Sequence, residues 1–168
     1  VRLTMTENTA GSKAGAHIVE IQGFDADEEH VREATGASES WSRVALGAHG
    51  AVGSKDVRYA RNTPPDTEGR TKWSAKAWRG ERVNAQFVLW SREPLNQLRL
   101  SVKPKGANAL PASAVQARFV RYVLSDTTLV GDIIDDATTI DTPANSTRPV
   151  WVSVDVPRYA KPGAYAFD

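Results

Sequence analysis

Cysteine is absent from the 168-residue chain, which excludes disulfides, thiolate metal sites and cysteine nucleophiles but does not decide the compartment. Histidine is scarce: His17, His30 and His49 stand in unrelated contexts. No run of about 18 apolar residues occurs, so no stretch of the sequence reads as a membrane-spanning helix. An excess of one charge is missing too. With 21 basic and 20 acidic residues the net charge is +1, and a nucleic-acid or anionic-membrane surface would need a basic surplus on one face. Gly-x-Ser-x-Gly, His-Glu-x-x-His and Gly-x-x-x-x-Gly-Lys-[Ser/Thr] are all absent, which leaves nucleophilic catalysis and phosphate cradling without support.

The clearest feature present is a charged turn running into an alternating segment, Trp78-Arg79-Gly80-Glu81-Arg82 followed by Val83 to Trp90. Val83, Ala85, Phe87 and Leu89 fall on one face; Asn84, Gln86, Val88 and Trp90 fall on the other. Period-two alternation with β-branched and aromatic residues marks a strand with a buried face. Similar patterns predict strands over 98–102, 115–124 and 150–156, with Phe87, Leu89, Leu100, Phe119 and Val152 in the core. Trp41 to Gly53 reads as an earlier strand, continued by 54–59, and Asp126 to Asn145 as an acidic, turn-rich loop. Gly, Pro and Asn loops between the strands indicate an all-β fold, an antiparallel β-sandwich with one or two short helices. One such helix is expected from Asp25, with Asp25 as N-cap and Glu28 three residues on. Residues 1–40 then form a leader and short helix packed on the sandwich, and 41–168 the sandwich itself. Tyr165 and Phe167 open a further strand, so the sequence reads as a sandwich truncated at its C-terminal end.

Chemistry-bearing clusters are few. Asp25, Asp27, Glu28 and Glu29 with His30 offer metal ligands, yet they are contiguous rather than spaced to converge, as expected of a capped helix whose first turn carries carboxylates. Asp132, Asp135 and Asp136 after Gly131 match a calcium loop poorly. No metal site or cofactor is expected. Five tryptophans are more informative. Trp73, Trp78, Trp90 and Trp151 are candidates for stacking on sugar rings or for a domain interface, against the simpler reading that they fill the core. Arg79, Arg82, Arg118 and Arg121 are expected to act as structural tethers, with Glu81 and Asp126 as partners, because the guanidinium fork suits carboxylates and loop carbonyls at strand ends.

Several segments taken in order, Ser54–Tyr59, Ala77–Gln86, Arg118–Val123, Thr147–Pro157 and Ala160–Tyr165, resemble the N-terminal β-sandwich region of bacterial glycoside hydrolases of family 123. The Trp-Arg-Gly-Glu-Arg and Arg-Pro-Val-Trp-Val-Ser stretches carry the resemblance most specifically; Pro-Gly-x-Tyr is common to many extracellular sandwiches. The resemblance implies a non-catalytic domain. In that family, cleavage of a β-linked N-acetylgalactosaminide uses the substrate's 2-acetamido group as nucleophile and an adjacent Asp-Glu pair on a separate (β/α)8 barrel. Asp27-Glu28 precedes the sandwich, on the expected helix, and does not inherit that role.

The resulting expectation is an accessory domain of an exported glycoside hydrolase, secreted, periplasmic or on the bacterial cell surface. Its partner would be the catalytic domain of the same protein. The alternative is an autonomous carbohydrate-binding module, with glycans as partners, or a structural cell-surface domain.

Overall fold

The computed structural model describes residues 38–106, 109–125 and 128–168. The helix expected from Asp25, the polar leader, the acidic cluster beside His30, His17 and Asp126 lie outside the described residues. The described chain is all-β apart from a five-residue helix, α1 (Ser38–Ser42), and a single 3-10 turn at Ala112–Ala114. The strands are β1 (Ala48–Gly53), β2 (Arg82–Ser91), β3 (Leu95–Arg99), β4 (Pro104–Lys105), β5 (Val115–Ser125), β6 (Thr128–Ile134), β7 (Thr139–Thr142), β8 (Ser146–Asp155) and β9 (Ala166–Phe167).

Five of them form one antiparallel sheet in the order β1-β2-β8-β5-β6, while β3–β7 and β4–β9 form two-stranded pieces. The centre is the pairing of β2 with β8, unbroken from Arg82↔Asp155 to Ser91↔Ser146. Both strands are rich in Val and aromatic residues, which suit a pleated, half-buried surface. The register places Ala85, Val150 and Phe119 on one face, and Gln86, Trp151 and Arg118 on the opposite one. The first face is apolar. Toward one end Leu110, Ala114, Val154 and Ala160 form a buried cluster, against which Trp73, Val83, Val115, Tyr165 and Phe167 pack. Phe167 reaches it because β9 pairs with β4, and the backbones of Lys103 and Asp168 exchange hydrogen bonds of 2.7 and 2.9 Å just beyond.

The second face is covered along part of its length by a strap, residues 54–63. Tyr122 Oη lies 3.0 Å from both the Tyr59 and Thr147 carbonyls, so one buried proton bridges strap and sheet. Thr147 holds the strap again through its backbone N–H to the Arg61 carbonyl (2.7 Å) and its hydroxyl to the Thr63 carbonyl (2.8 Å). Gln86 donates its side-chain amide to the Ser54 and Val57 carbonyls at 2.6 and 2.9 Å.

This double coverage corrects the expected core. Phe119 is buried, but Phe87, Leu89, Leu100 and Val152 are only half-buried, and the buried β2 residues are Ala85, Gln86, Val88 and Ser91. Alternation identifies two faces; it does not say that a strap will bury the second. Three boundaries differ as well. The strand expected from Trp41 is confined to Ala48–Gly53, because 54–59 leaves the sheet edge to become the strap. The strand expected over 98–102 is β3, displaced to Leu95–Arg99 and irregular at Gln97, which takes a φ of 53°. The segment expected to be a loop from Asp126 contains β6 and β7: Thr128–Ile134 is apolar and β-branched, and the acidic residues around it masked that signal. Asp132 lies within β6, skipped by the register between Arg121↔Ile133 and Tyr122↔Gly131.

Candidate functional site

Two surfaces bring the singled-out residues together. The first is the part of the sheet's second face that begins at the strap's margin, where the strap covers Gln86, and continues beyond it. There Trp151 of β8 sits in register between Gln86 of β2 and Arg118 of β5, and Ser153 sits between Asn84 and Gln116. Trp151 is half-buried. Its polar neighbours are already engaged with one another. The Ser153 hydroxyl donates to Asn84 Oδ1 at 2.8 Å, Arg118 donates to Gln116 Oε1 at 2.9 Å and lies 3.4 Å from Asp136, and Arg82 makes a two-pronged contact with Asp155 at 2.6 and 2.9 Å. The result is a flat polar row across β2, β8 and β5 with an indole at its middle.

The second surface lies at the end of β2–β8 where β2 begins. Glu81 N–H bonds the Trp78 carbonyl at 3.1 Å, closing a tight turn over Trp78–Glu81. Gly80 has a φ of 82°, the left-handed value that the third position of a type II turn requires and that glycine takes without cost. The Glu81 carboxylate accepts the Trp78 backbone N–H at 2.6 Å. Trp78 itself is 84% exposed.

The remaining candidates are dispersed. Trp73 packs on the Leu110–Val154 cluster. Trp90 stacks on His49 across β1 and β2, ring centroids 5.6 Å apart and planes 20° from parallel. Trp41, the fifth tryptophan, is buried. Arg121 pairs with Asp135 at 2.9 and 2.7 Å, while Asp126, the acid expected beside it, lies outside the described residues. Between Leu100 and Val102 on one side and β5 with Asp135–Thr138 on the other lies an open cleft of about 350 Å³, which the sequence did not announce because its walls come from three distant segments. Among the described residues no group of three or more His, Asp or Glu side chains is placed to hold a metal ion.

The electrostatics run in one direction. Asp155 has its pKa lowered, chiefly by the Arg82 hydrogen bond, and Arg82 is raised in turn by the same contact. At Asp135 burial acts to raise the pKa, but the Ala137 N–H and the Arg121 guanidinium together outweigh it and leave the group below its ordinary value. A carboxylate depressed in the folded state contributes stability that is complete above the unfolded pKa of about 3.9 and disappears as pH falls through the depressed value. Asp135→Asn is therefore expected to cost about 1 kcal/mol at neutral pH. Thermal melts of both proteins between neutral pH and about pH 3 should show the gap narrowing only below about pH 4. A gap that persists undiminished in acid would assign the loss to packing instead.

The sheet order and its two unequal coverings define an antiparallel all-β domain of the sandwich class. Residues 52–167 match the family model described as the glycoside hydrolase 123 N-terminal domain, and the chain belongs to that family. A solved family 123 glycoside hydrolase from Clostridium perfringens, described in terms of glycolipid glycan hydrolysis, superposes with a TM-score of 0.58 at 21% identity. The alignment covers 70% of this chain and 23% of that one, so the likeness is of fold and the chain spans under a quarter of that enzyme's length. No curated protein matches.

Proposed function

We propose that this chain is a non-catalytic accessory domain of an exported glycoside hydrolase acting on N-acetylgalactosaminide-type substrates. In this reading it packs against a catalytic barrel and helps to shape its cleft. The observation that carries the non-catalytic part is the state of the carboxylates. Among the described residues the acids with displaced pKa values are Asp135 and Asp155, and both are lowered, Asp155 chiefly by Arg82 and Asp135 by the Ala137 N–H and then Arg121. A glycosidase needs one carboxyl raised so that it can protonate the leaving group, with a second one placed across the scissile bond. The flat row centred on Trp151 supports the packing part, since an indole framed by satisfied polar groups suits the edge of a domain interface. The substrate class and the exported location rest on the family resemblance.

Incubation of this chain with a chromogenic β-N-acetylgalactosaminide is expected to give no turnover above a buffer blank. Sustained turnover that survives repurification would overturn the reading.

A further inference from the structure

We propose that the paired turns at the β2–β8 end form a binding site for an acidic glycan, a saccharide bearing carboxylate or sulfate groups. Beside the Trp78–Glu81 turn runs a second one, closed by the Ala160 N–H on the Pro157 carbonyl at 3.0 Å. The two are tied together by the Gly80 N–H on the Val156 carbonyl and the Val156 N–H on the Glu81 carbonyl, each 2.8 Å. A Cβ added at Gly80 would meet Arg158 Cγ at 3.3 Å, so the Arg158 side chain crosses the first turn. Arg79 and Arg158 thus occupy the second positions of adjacent turns, with Trp78 and Tyr159 beside them.

A single exposed aromatic is ordinary on a protein surface. Here two of them, Trp78 at 84% and Tyr159 at 78% exposure, stand on neighbouring turns whose backbones are pinned, so a ligand has to order their side chains but not the chain that carries them. Neither Arg79 nor Arg158 has an acidic partner among the described residues, whereas two carboxylates at this end of β2–β8 are committed: Glu81 to the Trp78 N–H and Asp155 to Arg82. Ring faces stack on the C–H faces of pyranoses, and guanidinium forks match carboxylate and sulfate oxygens. A neutral sugar would leave both arginines unused. This site is independent of the accessory-domain reading, which needs no ligand here.

The test is titration of the chain with a chondroitin sulfate hexasaccharide, followed by tryptophan fluorescence and calorimetry. Saturable binding is expected that weakens when salt is raised from about 0.05 M to about 0.5 M. Trp78→Ala should weaken it about tenfold, the equivalent of one stacked ring. The double variant R79Q/R158Q should remove the salt dependence, with the melting temperature unchanged in both variants because these side chains lie on the surface. No saturation up to about 10 mM, where any specific affinity would register, would overturn the proposal. So would equal binding by Trp78→Ala, or equal binding of neutral chitohexaose. Binding of anionic phospholipid vesicles without binding of the hexasaccharide would assign the surface to membranes and overturn it equally.

Discussion

Replacing Trp41 by alanine is expected to cost about 3–5 kcal/mol, the range for removing a buried large aromatic, and to lower the urea midpoint accordingly. Trp41 is 2% exposed and among the largest fully buried side chains. Its indole N–H donates to the Asn62 carbonyl at 2.8 Å, so truncation leaves both a cavity and a carbonyl without its donor. Asn62 lies in the strap between Arg61 and Thr63, whose carbonyls Thr147 holds. The tryptophan thus fastens α1 to the same strap that covers the second sheet face. Trp41→Phe, which keeps most of the ring and loses the N–H, should cost roughly 1–2 kcal/mol. Trp41 also lies upstream of the residues matched by the family model, 52–167, so the outcome decides how far the cooperative unit extends. A loss below about 1 kcal/mol for Trp41→Ala would mean that α1 and its indole are not docked in solution, since such a value is usual for surface changes.

How much of this was legible depends on where each signal lay. Val83 to Trp90, Val115 to Leu124 and Val150 to Val156 were readable as strands because alternation and β-propensity are local properties of five to ten residues. They emerge as β2, β5 and β8, the middle of the sheet. What alternation could not supply was the partner on each face. Gln86 reads as a surface residue by chemistry, yet it is buried and spends its amide on two strap carbonyls. The strap itself, which runs into Pro64-Pro65, carries no periodicity. Its conformation is fixed by Tyr122 and Thr147, residues far away in sequence.

The surface candidates were legible as residue types only. Five tryptophans announced aromatic chemistry, but sequence does not distinguish Trp41, buried, from Trp78, 84% exposed. The acids that Arg82 and Arg121 meet, Asp155 and Asp135, come from other strands or the turns beside them, and sequence spacing does not show that proximity. The pairing of the Trp78 turn with the Pro157 turn follows from Arg82↔Asp155 at the end of β2–β8. That correspondence exists only once the register is known.

Among the described glycines whose surroundings are filled, Gly53 should be the most costly to replace. An alanine Cβ there would stand 2.6 Å from Val88 Cγ2 and 2.9 Å from both Cε2 and Oη of Tyr59. None of these neighbours can retreat easily. Val88 is fully buried, and Tyr59 is held through its hydroxyl, which accepts the Ser54 N–H at 2.9 Å, and through its carbonyl, which receives the Tyr122 hydroxyl. Relief of the clash requires either β1 to shift away from β2 or the strap to lift. Gly53→Ala is therefore expected to cost about 3 kcal/mol, in the upper part of the range for overpacking a filled core. Gly50 provides the internal comparison. It lies on the same strand, but its added Cβ would meet Leu89 Cδ2 at 3.1 Å, the tip of a half-buried side chain that can rotate. Gly50→Ala should change stability by no more than about 0.5 kcal/mol. Urea melts of the two variants beside the parent chain would measure the difference. Equal, small losses would mean that the strap is loose enough to accommodate a methyl group, and that Tyr59 does not seal the second face of the sheet.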